Sequence, residues 1–131
     1  MFNKHAMSEL ELSDQYFDLS FLLEIADGSN EFIVESIDMF LQQTPELMWA
    51  IYNAMRAQDR VVLAQSAHKL KPNLGFFGML IAQAMMQEIE SMAKNGDDMS
   101  GIEAKFNTVK GIVAPSLEKL KLIKEAKAAE L

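Results

Sequence analysis

Apolar side chains recur at spacings of three and four along almost the whole chain, as in Phe32, Ile33, Ile37, Phe40 and Leu41, and again in Ile102, Phe106, Val109, Ile112 and Val113. That spacing gathers them on one stripe of an α-helix, and no β-branched alternation bounded by turn residues competes with it, so the pattern predicts an all-α fold. A short helix is expected over Asp18 to Ala26, ending at Asp27-Gly28, where glycine takes the left-handed conformation that stops a helix. Ser29 or Asn30 then caps a long helix that continues past Pro45 through Leu47, Met48, Ile51, Tyr52 and Met55. Proline removes one backbone donor and crowds the preceding turn, so this helix is expected to be single but kinked. Asp59 caps a third helix from Arg60 to Leu74, and the turn Gly75-Phe76-Phe77-Gly78 leads into a fourth, closed after Lys94 by Asn95-Gly96. Ser100 caps the last, which runs past Pro115 into Leu117, Leu120 and Ile123.

Four long helices joined by short connections pack most simply as an antiparallel up-down-up-down four-helix bundle, with the short extra N-terminal helix folded over one end. Residues 1–17 are read as a flexible N-terminal segment and 18–131 as the bundle domain. Phe76 and Phe77 are expected to plug the bundle end. Met48 and Met55 share a stripe with Ile51 and Tyr52, as Met85 and Met92 do with Ile81 and Ile89, so these methionines are read as packing residues. The tail KEAKAAEL has little apolar anchoring and is expected to fray.

Composition narrows the function. With 131 residues, half of them hydrophobic, the chain has the size of one domain with a real core. A formal charge of -7 with no basic run argues against nucleic acid or an anionic membrane surface and leaves a protein as the expected partner. There is no cysteine, hence no disulfide or thiolate metal site, and no apolar run of signal-peptide or membrane-spanning length; the expected address is the cytoplasm. The paired Glu-x-x-His ligands of metal-binding bundles are missing too.

One histidine stands apart. On a helical wheel Leu63, Ala67, Leu70 and Leu74 fall within roughly 60° of one another, and His68 lies about 140° from Leu63, off that stripe and toward solvent. Its neighbours on the exposed face are Val61, Ala64, Gln65, Lys71, Pro72 and Gly75, mostly small or flat, a surface on which a partner protein could bring a phosphoryl group to the ring. Lys71, one turn away, can partly neutralise such a group, and a neutral imidazole is a nucleophile. Facing residues of the following hairpin sum to roughly 153, within about one helical turn, which points His68 at the stretch from Met85 to Glu90. Gln87, Glu88 and Glu90 are its polar candidates. Glu90, about 140° from Met85, has the matching outward tilt; it could accept from the imidazole Nδ1–H and leave Nε2 free. His5, on the N-terminal segment, is given no role.

His68-Lys69-Leu70-Lys71, the glycine ten residues after the histidine at Gly78, and Glu90 in QEIESMAKNGD together resemble the histidine-containing phosphotransfer (HPt) domain family. The resemblance implies that His68 is the phospho-acceptor, Lys71 the charge-stabilising residue and Glu90 the residue bonding the histidine. It also implies partners: response-regulator receiver domains that carry the magnesium ion, with a hybrid sensor histidine kinase as a further candidate. The chain itself is expected to bind no cofactor, to be a monomeric carrier rather than an enzyme, and to dock partners through Val61, Ala64, Gln65, Pro72 and Gly75. The family usually has glycine immediately after the lysine, where this chain has Pro72. The alternative reading is a helical protein-interaction module that uses the same face without accepting phosphate. Loss of Lys71 is expected to slow transfer without unfolding the domain, as for an exposed cation.

Overall fold

A computed structural model of the chain describes residues 12–131; His5 lies outside them. Five helices follow in order: α1 Ser20–Ala26, α2 Asn30–Ala57, α3 Arg60–Phe76, α4 Leu80–Asn95 and α5 Met99–Ala128. Local chemistry sets several of the ends. The Ser29 hydroxyl accepts from the Phe32 N–H at 3.1 Å and the Asp59 carboxylate from the Val62 N–H at 3.1 Å, each satisfying a donor that the first turn leaves free. Asp27, Gln58 and Gly96 close α1, α2 and α4 in the left-handed conformation. Pro45 and Pro115 sit inside single helices. Relative to the sequence reading, α1 starts two residues later, α3 runs through Gly75 to Phe76, and Asp98 rather than Ser100 stands before α5.

Each long helix packs on its neighbour in sequence, and α5 closes the ring against α2. Lys124 meets Asp38 at 3.0 Å across α2 and α5, and Lys105 meets Glu88 at 3.3 Å across α4 and α5, the register of antiparallel neighbours. The fold is the expected four-helix bundle with an extra N-terminal helix. Ile37, Ile51, Leu63, Leu70, Leu74, Met86, Ile89 and Ile102 are fully buried along its axis, each such side chain contributing on the order of 1.5–3 kcal/mol.

The core stripe of α4 is rotated one position from the expected one. Ile81 is 61% exposed, whereas Ala82, Met86, Ile89 and Ala93 face inward. The helix is apolar on two adjoining faces, and the one carrying Ala82 and Ala93 is the buried one. The same rotation changes the setting of Glu90: about 140° from Met85, it is only about 40° from Met86, and it is 4% exposed.

Residues 12–17, expected within a flexible segment, form a strap. Phe17 is 1% exposed; the Leu19 N–H donates to the Leu12 carbonyl at 3.0 Å; Asp14 accepts from the Tyr16 and Phe17 N–H groups and pairs with Lys119 of α5 at 2.6 Å. The strap reaches the α3–α4 turn, where a Cβ on Gly78 would lie 2.0 Å from the Asp18 carbonyl oxygen, at φ +67°. Only glycine fits there. Phe77 packs on Phe40 with centroids 4.3 Å apart, and Phe76 meets Phe21 of α1 edge-on at 5.4 Å, so the pair does close this end of the bundle.

Candidate functional site

His68 and Glu90 face each other across α3 and α4. Ala67, Leu70 and Leu74 hold the inner face of α3 in the core, which leaves the His68 side chain 67% exposed while its Nδ1 stands 3.1 Å from Glu90 Oε2. Two lysines converge on the same carboxylate. Lys94, one turn along α4, donates to Oε2 at 2.9 Å, and Lys71 Nζ stands 2.7 Å from Oε1. The Lys71 contact lies outside the angles of a directed hydrogen bond, so Oε1 is held by charge alone. Lys71 instead donates to Gln87 Oε1, and Gln87 Nε2 donates to Ser91 Oγ.

Burial pushes the Glu90 carboxyl up, but the close contacts and positive charges of Lys71 and Lys94 outweigh it and bring the pKa down to about 2. The group is therefore ionised and can only accept. A neutral imidazole beside it must donate from Nδ1, which places the lone pair on Nε2, the nitrogen that Glu90 does not engage. Attack by Nε2 on an electrophile builds positive charge on the ring, and Glu90 is placed to stabilise it.

Lys71 departs from its expected setting. Its side chain is 18% exposed and lies against a buried carboxylate, so it is a structural ion-pair partner as well as a cation near the ring. Two further corrections concern the docking face. Ala64 is 6% exposed and forms the floor of a hollow, not its surface. Gly75 is half-buried beside α4: a Cβ there would stand 2.3 Å from Gln83 Nε2, so the residue faces the Gln83 side chain rather than open solvent. The wheel put both outside because it ignores how closely α4 lies. Val61, Gln65 and Pro72 are exposed as expected.

Hollows flank His68 on both sides. One is lined by Arg60, Val61, Ala64, Gln65 and Lys94, the other by Lys71, Pro72, Leu80, Gln83 and Gln87. Pro72 gives α3 no N–H for the His68 carbonyl, and one residue before it the Lys71 carbonyl accepts from Gln83 Nε2 at 3.1 Å, tying the two helices together beside the ring. Lys94, Gln83 and Leu80, which is 64% exposed, escaped the sequence reading, and Gln87, a polar candidate for His68, takes Lys71 instead; Lys94 was legible as the residue four after Glu90, the spacing of a helical ion pair. Among the described residues no three His, Asp or Glu side chains gather as a metal site, and no helix is long and apolar enough to cross a membrane.

Comparison with known proteins adds to this geometry. The family model described as Hpt domain matches residues 35–122. No curated protein matches the chain in sequence at a significant level. Among solved structures, histidine-containing phosphotransfer protein B (HptB) from Pseudomonas aeruginosa PAO1 superposes with a TM-score of 0.78 at 20% identity, covering 87% of this chain and 98% of that one. The HPT domain of a Shewanella sensor hybrid histidine kinase superposes with a TM-score of 0.59 at 22% identity, covering 88% and 93%. At these identities both speak for the fold.

Proposed function

This chain belongs to the Hpt domain family, whose general role is phosphotransfer in phosphorelays, and we propose that His68 is the residue on which it carries the phosphoryl group. The reading rests above all on one observation: an exposed ring whose Nδ1 is engaged by an ionised carboxylate, which leaves Nε2 as the unengaged nitrogen. The group comes from an aspartyl phosphate on a receiver domain. Nε2 forms the new N–P bond as the acyl-phosphate O–P bond breaks and the receiver carboxylate leaves; the Nδ1 proton stays with the ring, held against Glu90. Transfer to a second receiver reverses these steps. Lys71 and Lys94 offset the added negative charge, and in this reading the magnesium ion belongs to the receiver. The bundle needs no covalent machinery beyond positioning and charge.

Val61, Gln65, Pro72 and Leu80 form the rim against which receivers sit, with a hybrid sensor kinase as a further source of phosphate. The test is incubation with phosphorylated receiver domains. Acid-labile, base-stable label is expected on the wild type and not on His68→Gln, which should fold normally because the side chain is exposed. Label persisting on His68→Gln removes this residue as acceptor, and no label on the wild type with any receiver of the source organism leaves an interaction module instead.

A further inference from the structure

The α2–α5 side of the ring faces away from the α3–α4 side that carries His68. There α2 contributes Pro45, Trp49 and Tyr52, and α5 contributes Val113 and Leu117, to the walls of an apolar groove with Lys110 on its rim. Trp49 is 64% exposed, and its ring stacks on Tyr52 with centroids 5.6 Å apart. Large aromatic groups left in water beside a groove are characteristic of contact surfaces. None of the groove's walls carries a carboxylate, although the chain has 19 acidic residues against 12 basic. Arg56, one turn beyond Tyr52, donates to its hydroxyl at 3.0 Å with the guanidinium 5.8 Å from the ring centroid. Among the described residues neither Arg56 nor Lys110 has an acidic partner within salt-bridge distance.

We propose that this groove docks an acidic amphipathic helix of a partner protein, apolar face down on Trp49, Tyr52 and Leu117 and carboxylates toward Arg56 and Lys110. Two facts favour that occupant. The walls run about two turns along each of two antiparallel helices, roughly 10 Å from Pro45 to Tyr52 and from Lys110 to Leu117, which is the seat a third helix takes between two others. Lys110 on the rim and Arg56 beside Tyr52, with no carboxylate in the lining, give the groove a positive character in a chain of net charge -7 and complement an acidic ligand. The proposal is independent of the phosphotransfer reading. Because the groove lies across the bundle from His68, a helix seated there leaves the ring open to receivers and would tether this domain to one partner while it exchanges with another.

Trp49 is the sole tryptophan, so its emission reports on the groove directly. The full chain is titrated with a synthetic amphipathic helical peptide bearing Leu and Phe on one face and Glu on the other, and with its counterpart carrying Lys in place of Glu. A saturable blue shift is expected with the acidic peptide alone. Lys110→Glu and Arg56→Glu, both retaining helical circular dichroism, should each weaken it about tenfold at low salt, and His68→Gln should leave it unchanged. No shift with the acidic peptide, equal shifts with both peptides, or charge reversals without effect overturn the proposal. So does a blue shift that grows with protein concentration alone, because the groove then belongs to a second copy of the chain.

Discussion

Replacing Glu90 with Gln keeps the shape of the side chain and removes the charge on which His68, Lys71 and Lys94 converge. In the folded chain the two lysines hold the carboxyl down at about 2, against its ordinary value of 4.5. At about 1.4 kcal/mol per unit, that difference corresponds to about 3 kcal/mol of stability. Lys94 is 63% exposed and its share is screened by water, which reduces the expectation to about 2 kcal/mol. The folded-state value is the lowered one, so this contribution is complete above the ordinary carboxyl value of 4.5 and is lost as the pH falls through about 2. Urea unfolding of wild type and Glu90→Gln, followed by circular dichroism at a series of pH values, measures it. Wild type should be more stable by about 2 kcal/mol near neutrality, with the gap narrowing on acidification and closing where Glu90 is protonated. Asp14, Asp18 and Asp98 also titrate below their usual values, but they are present in both proteins and cancel in the difference. A gap that stays constant or widens as the pH falls refutes the assignment of Glu90 as the charged centre of the network.

Lys71→Ala should lower stability by about 1–3 kcal/mol in urea, because it strips a partner from a buried carboxylate, besides slowing transfer; an unchanged midpoint would return Lys71 to the role of a solvated cation. Gly78→Ala should cost more than about 2 kcal/mol, since its methyl group meets the Asp18 backbone at positive φ, whereas Gly111→Ala, with nothing within 4 Å of the added carbon, should stabilise α5 by up to about 1 kcal/mol. Equal midpoints for the two glycine variants would contradict the packing of the strap on the turn.

The helices were legible because their apolar stripes are strong and their starts and stops carry capping chemistry, as at Ser29, Asp59 and Gly96. The pairing of His68 with the region of Glu90 followed from hairpin arithmetic, good to about one turn. What the sequence concealed came from packing. On α4 both Ile81-Met85-Met92 and Ala82-Met86-Ala93 satisfy helical periodicity, and only packing against the neighbouring helices decides for the second. That choice turns Glu90 inward and makes Lys71 a partner of a buried group. Ala64 and Gly75 looked like open surface for the same reason: a wheel describes one helix without its neighbour. The strap at residues 12–17 was hidden because it has no period at all; its order comes from one buried phenylalanine and the side-chain turn of Asp14.

The missing methyl group at Gly78 also sets the limits of what can be moved. A hairpin of α3 and α4 transplanted into another scaffold would bring the histidine and its carboxylate but leave an empty socket over the turn, shaped to the Asp18 backbone. The smallest portable unit is the hairpin together with its amino-terminal clasp, and any lengthening of that turn has to be matched by a change in the clasp.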